Sequence, residues 1–175
     1  MLTIALPKGR IADETLDKFE KAFGEKFIFE NRKLILEKAG FKFLNVRNQD
    51  VPTYVMHGAA DLGVVGLDVL EEKEYDLIKL LDLQLGKCKV AFGLRAGEQL
   101  DFSKSKITVA TKHEKIAKKF FEQKAMAVDI IKLYGSIELA PLVGKFCIIS
   151  REHTYIWKVQ DSRYEHQSII RCSNI

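Results

Sequence analysis

The first 24 residues place the tightest limit on the fold. Leu2 to Leu6 is a mainly apolar run of strand length, and Pro7-Lys8-Gly9-Arg10 ends it. Ile11, Ala12, Leu16, Phe19 and Phe23 then recur at helical spacing until Gly24 stops the pattern. A strand that passes through a short Gly loop into an amphipathic helix opens an α/β layer. In such folds the carboxyl end of the strand faces the ligand, and the helix turns its N-terminal amides toward it. Lys8 and Arg10 add full positive charges, so the loop suits an anion. A tight turn with two solvated cations is the plainer alternative, and these residues alone leave it open.

The same rhythm continues. Strands are expected at Lys33 to Glu37 and Phe41 to Val46, joined as a hairpin through Lys38-Ala39-Gly40. Pro52 fits the first turn of a helix running to Met56, and Leu62 to Val65 reads as a short buried strand. Asp68 to Lys73 is a helical turn, with further strands expected at Leu77 to Leu81 and Lys87 to Leu94. Beyond Ala96-Gly97 and the polar run to Lys106 a second βα unit begins. It has a strand at Ile107 to Ala110, a helix at His113 to Lys124 and a strand at Val128 to Leu133. A short helix is expected after Ser136. These readings give two α/β lobes with a cleft between them, at 1–95 and 96–144, followed by a tail at 145–175.

Composition narrows the classes. With 175 residues, 47% hydrophobic and 30% charged, the chain suits a globular protein that needs no covalent staples. Cys88, Cys147 and Cys172 are scattered without a Cys-x-x-Cys pair, which speaks for reduced thiols and a cytoplasmic setting. No cationic leader precedes an apolar run and no stretch has membrane-spanning length, so neither secretion nor membrane insertion is expected. The net charge of +4 is spread along helices, a pattern that argues against nucleic acid as partner and permits small phosphorylated ligands.

Three further segments can carry chemistry. Arg47-Asn48-Gln49-Asp50 crowds a cation, two amides and a carboxylate onto one loop; the alternative makes Asp50 a helix cap and Arg47 a solvated charge. Gly58 to Gly66 has small residues wherever backbone passes closely. Structural packing explains most of that stretch, and Asp61 at the strand mouth can accept hydrogen bonds from a sugar or base. Gly135-Ser136-Ile137-Glu138 offers Ser136 as a helix cap and Glu138 on the first turn, facing either solvent or the cleft. Cys88 reads as a core residue, and His57, His113, His153 and His166 have no metal-ligand spacing.

Ile4 to Arg10, Arg47 to Val55, Gly58 to Gly66, Leu80 to Cys88 and Gly135 to Gly144, in this order, resemble the ATP phosphoribosyltransferase family over residues 1–144. The resemblance implies a two-lobed fold like the type II periplasmic binding proteins. The implied reaction is transfer of phosphoribose from phosphoribosyl pyrophosphate to N1 of ATP with release of pyrophosphate, the first step of histidine biosynthesis. It implies Arg10 and Arg47 as the principal catalytic cations near phosphates. Lys8, Gly9, Asp50, Asp61, Ser136 and Glu138 are implied as substrate-binding residues. Magnesium (Mg2+) is implied on the pyrophosphate of the substrate, without a protein cage. The length matches the family's short form, which implies a histidyl-tRNA-synthetase-like regulatory subunit in a hetero-oligomer.

After Gly144 the likeness ends. The family continues with a strand, an acidic residue and a Thr-Gly-x-Thr loop that wraps the sugar 5-phosphate. Here all 11 glycines and all three prolines lie at or before Gly144. About two glycines are expected in a segment of this length. A loop that cradles phosphate relies on close backbone approach and positive φ, which glycine supplies. The change points to a shifted reading frame or an unrelated replacement, of which the frame shift is favoured here. Two rivals to an active transferase remain at this point: a two-lobed module that captures a nucleotide without turning it over, and a basic nucleic-acid scaffold.

Overall fold

The computed structural model describes residues 1–30, 33–86, 88–95, 106–137, 140, 147–153 and 164–172. It divides into two compact units, Met1–Gly86 and Lys87–Cys172. The lobe boundary expected near Ala96 falls instead at Gly86, because β5 (Cys88–Arg95) hydrogen-bonds to strands of the second unit and belongs there.

The first unit is built on β1 (Leu2–Pro7), which runs into α1 (Arg10–Phe23) as its apolar pattern requires. Gly24 stops α1 in the left-handed conformation at φ 72°, its N–H donating to the Glu20 carbonyl at 2.8 Å. The hairpin of β2 (Ile35–Lys38) and β3 (Phe41–Val46) follows. Its two turn residues, Ala39 and Gly40, have φ of 51° and 79°, the positive values that a type I′ hairpin turn needs. Then come α2 (Val51–Met56), β4 (Leu62–Gly63) and α3 (Leu67–Lys73). The sheet order is β2-β3-β1-β4, with β1 parallel to both β3 and β4 and only β2 antiparallel.

Alternation along β1 divides the core between two faces. Ile4 and Leu6 pack with Ala12, Leu16, Phe27 and Phe43 on the α1 side. Ala5 packs with Val51, Ala60, Val65, Val69 and Leu70 on the α2 and α3 side. Phe19 meets Phe41 and Phe43 edge-on with ring centroids 5.2 and 5.1 Å apart, and Phe27 meets Phe43 at 5.5 Å, the geometry the ring quadrupoles favour. On the opposite face a Cβ at Gly63 would lie 2.8 Å from Val51 Cγ1 and 2.9 Å from Val55 Cγ2, so glycine there is required by the approach of α2.

Two expectations fail in this unit. The strand foreseen at Leu62 to Val65 is reduced to the edge strand β4, which pairs only with Ile4 and Ala5. Leu77 to Leu81 forms no strand, and Ile78 and Leu80 are exposed: a short apolar run suits a strand but becomes one only where it pairs.

The second unit holds β5, β6 (Ile107–Thr111), α4 (Glu114–Glu122), β7 (Val128–Lys132), β8 (Cys147–His153) and β9 (Tyr164–Cys172). Strand order is β7-β6-β8-β5-β9, with β6 parallel to β7 and β8, and β5 antiparallel to β8 and β9. Ile116, Ala117 and Phe121 of α4 pack on Val90, Ile107 and Val109. Ala110 faces a second cluster with Ile137 and Ala140.

Phe43 is fully buried at the centre of the aromatic cluster. Phe43→Ala is expected to destabilise the chain by about 3–5 kcal/mol, read as a lower urea midpoint. A loss below about 1 kcal/mol would show that the rings do not hold β3 to α1.

Candidate functional site

Parallel pairing of β1, β3 and β4 brings three strand ends to one edge of the first sheet. From that edge leave the loops Lys8-Gly9, Arg47 to Asp50 and Val64 to Gly66. Pro7 stands opposite Val46, and the Lys8 N–H donates to the Val46 carbonyl at 2.8 Å. The two cation-bearing loops are therefore tied together at their bases.

Gly9 is the N-cap residue of α1, with φ 93° and ψ −154°. That backbone region is essentially reserved to glycine. No atom lies within 4 Å of where its Cβ would stand, so the requirement is conformational and the space beside the loop is open. No side chain caps α1. Arg10 begins the helix with its Nε 3.5 Å from Glu14 Oε1, and both side chains are partly exposed. An exposed pair of this kind is weak and readily yields to a stronger anion. Lys8 and Arg47 are exposed.

Asp50 occupies the N-cap position of α2, but its carboxylate makes no cap hydrogen bond, so the capping alternative holds for its backbone only. Its N–H donates to the Arg47 carbonyl at 2.9 Å, which folds the loop back on itself. The side-chain oxygens Oδ1 of Asn45 and Asn48 are buried there and have no hydrogen-bond partner among the described residues. Buried acceptors of this kind are normally satisfied. Asn48 belongs to the polar loop expected from sequence, whereas Asn45 was not foreseen, although as a residue type depleted in strands and set between Leu44 and Val46 it carried a signal. Asp68, in the first turn of α3 and 2% exposed, is a second residue the sequence reading passed over.

Asp61 is placed apart from this set. It precedes β4 and so sits at the opposite, amino edge of the sheet. Its Oδ2 accepts the Thr3 N–H at 2.7 Å while its own N–H donates to the Thr3 carbonyl at 2.9 Å. This reciprocal pair fastens the start of β4 to the start of β1.

In the second unit, the turn after β7 carries Ser136, exposed and with φ 49°. That is not the extended backbone of an N-cap residue, so the capping expectation is corrected on this point. Glu138 and the helix expected after Ser136 fall largely outside the described residues. Among the described residues no group of three or more His, Cys, Asp or Glu side chains is placed to hold a metal ion, and no helix is long and apolar enough to cross a membrane.

Comparison with known proteins points one way. A family model described as ATP phosphoribosyltransferase matches residues 47–150. The ATP phosphoribosyltransferase of Wolinella succinogenes is 69% identical over 144 residues, covering 82% of this chain and 70% of that protein. That of Sulfurovum sp. is 67% identical over the same length and shares. Among solved structures, an ATP phosphoribosyl transferase (HisG:HisZ) complex from Thermotoga maritima matches with a TM-score of 0.77 and 31% identity, over 99% of this chain and 88% of that one. The substrate-binding protein of an amino acid ABC transporter matches with a TM-score of 0.57 at 12% identity, over 99% of this chain and 83% of that one. That second likeness shows the fold, a type II periplasmic-binding-protein-like architecture.

Replacing Asp61 separates a fastening role from ligand binding. Asp61→Ala is expected to lower stability by about 1 kcal/mol and to leave affinity for inorganic pyrophosphate unchanged. A loss of pyrophosphate affinity without a loss of stability would return Asp61 to the binding set.

Proposed function

This chain belongs to the ATP phosphoribosyltransferase family, glycosyltransferases of the first step of histidine biosynthesis, and from that premise we propose that the carboxyl edge of its first sheet is the phosphate-binding part of the site. The observation that carries the reading is the convergence of Lys8, Arg10 and Arg47 on one edge, held by the pairing of Pro7 with Val46. Transfer of phosphoribose to N1 of ATP forms a bond from the anomeric carbon to that nitrogen and breaks the bond to pyrophosphate. The leaving group carries away the electron pair and several negative charges. Such a displacement needs charge neutralisation and alignment more than covalent help.

In this reading Arg10 and Arg47 are the catalytic residues, with guanidinium groups suited to bidentate contact with phosphate oxygens. Lys8 adds a point charge, and the Gly9 backbone lets phosphate approach the amides of α1. Asp50, with no capping bond to hold its carboxylate, is available to a ligand hydroxyl. Ser136 and Glu138 are read as further substrate-binding residues, from their match to the family's motif. Magnesium enters with the substrate, on the pyrophosphate, where it neutralises charge. A histidyl-tRNA-synthetase-like regulatory subunit is the proposed partner in a cytoplasmic hetero-oligomer, a reading supported by the complex from Thermotoga maritima.

The glycine-free segment 145–175 favours weakened binding of the sugar substrate, because it offers no Thr-Gly-x-Thr loop for the 5-phosphate. The same observation favours a second reading, a chain that still captures nucleotide and turns it over poorly or not at all. Calorimetric titration of phosphoribosyl pyrophosphate and of ATP, each with magnesium, tests both. ATP is expected to bind the full chain and Arg47→Ala to weaken it by about tenfold or more, as the loss of a charge-assisted contact requires. Phosphoribosyl pyrophosphate is expected to bind weakly. Tight binding would mean that the altered segment rebuilds the phosphate site. Turnover then decides the role of Arg47, since a catalytic residue loses rate beyond affinity and a binding residue loses affinity alone.

The origin of the segment is open to a direct check. Translating the coding DNA after codon 144 in its two other frames is expected to recover a Thr-Gly-x-Thr loop. Its absence from both frames overturns the frame shift.

A further inference from the structure

The turn after β7 holds its most conspicuous side chain in water. The Leu133 N–H donates to the Thr111 carbonyl at 3.0 Å, so hydrogen bonding with β6 continues to the base of the turn. Leu133 packs with Ala110, Ile137 and Ala140, and Ile137 is 6% exposed, so the chain is anchored on both sides of Tyr134-Gly135-Ser136. Tyr134, between these anchors, is 86% exposed. Lys132 Nζ lies 5.8 Å from its ring centroid and also pairs with Glu114 at the start of α4. One cation is thus fixed beside the ring while most of the ring meets solvent.

A large aromatic ring on a rigid turn, at the carboxyl edge of two parallel strands, is a platform for a flat heterocycle. Stacking is tolerant of the identity of the base because every base presents a π face. Of the two substrates in the function proposed above, only ATP has such a group. We propose that the purine base of ATP stacks on Tyr134. This rests on the reading of the chain as an ATP-using transferase, and it adds a residue that fixes which substrate is accepted at this turn.

The test compares ATP with inorganic tripolyphosphate, which shares its linked phosphates and lacks the base. Both are titrated calorimetrically, with magnesium, into the full chain and into Tyr134→Ala and Tyr134→Phe. Tyr134→Ala is expected to weaken ATP by about 5- to 100-fold and leave tripolyphosphate unchanged, and Tyr134→Phe to bind both as the unaltered chain does. Thermal melts of the variants are expected to coincide, because the ring packs on no core. Equal ATP affinity in Tyr134→Ala and the unaltered chain overturns the stacking alone. An equal loss for both ligands also overturns it, since the ring then acts through fold or charge. Failure of the unaltered chain to bind ATP overturns the transferase reading and the stacking with it.

Discussion

The parallel register of β1 with β3 is the constraint on which the first unit depends. Leu2 opposite Phe41 and Pro7 opposite Val46 fix six residues of each strand in step. Side chains alternate on a strand, so a slip of one residue would send Ile4 and Leu6 to the α2 face and Ala5 to the α1 face. The aromatic cluster on one side and the close seat of Gly63 under α2 on the other both forbid that slip. The same register brings the carboxyl ends of the two strands level. The cationic loops then meet as a consequence of core packing, without any attraction between them, which as like charges they do not have.

The carboxyl edge of the first sheet is less fully satisfied than its centre. Gly9 has a backbone that other residues adopt only with strain, Lys8 and Arg47 are exposed, and two buried amide oxygens have no partner among the described residues. The buried acceptors cost folding free energy, while the exposed cations remain solvated. The rest of the unit offsets the cost through burial. The cost is placed at one edge and the packing at the centre of the sheet, as expected where binding groups must be presented by a rigid scaffold.

Much of this was legible in the residues. The run from Leu2 to Gly24 gave strand, loop and helix because each signal is local: an apolar run, a glycine that alone tolerates its φ, a helical repeat and a left-handed stop. The hairpin at Ala39-Gly40 was legible for the same reason. Leu77 to Leu81 misled because a short apolar run states only that a segment suits a strand, and not that it will pair. Asp61 stands apart through direction. The rule that places Lys8 at the ligand edge, applied to a residue before a parallel strand, puts it at the far edge, where it accepts the Thr3 N–H. Asn45 carried only a weak local signal, a polar residue within an apolar strand, and its unpartnered Oδ1 is a tertiary feature that no local pattern records.

The segment after Gly144 shows how differently a sheet and a phosphate site constrain sequence. β8 and β9 flank β5 on both sides, so the altered segment supplies both neighbours of that strand. Ladder bonds join backbone groups that every residue except proline carries, and the segment contains no proline after Gly144. Its Ile148, Ile149, Ile169 and Ile170 are of β-branched type, which suits a pleated surface. A strand position therefore places few demands on sequence beyond the absence of proline and a suitable side-chain type. A loop that wraps a phosphate asks for glycine at the close approach and a hydroxyl at a fixed distance, and these cannot be met by composition alone. An altered segment can complete the sheet while leaving the sugar-phosphate site incomplete, so retention of the fold is no measure of retention of the reaction.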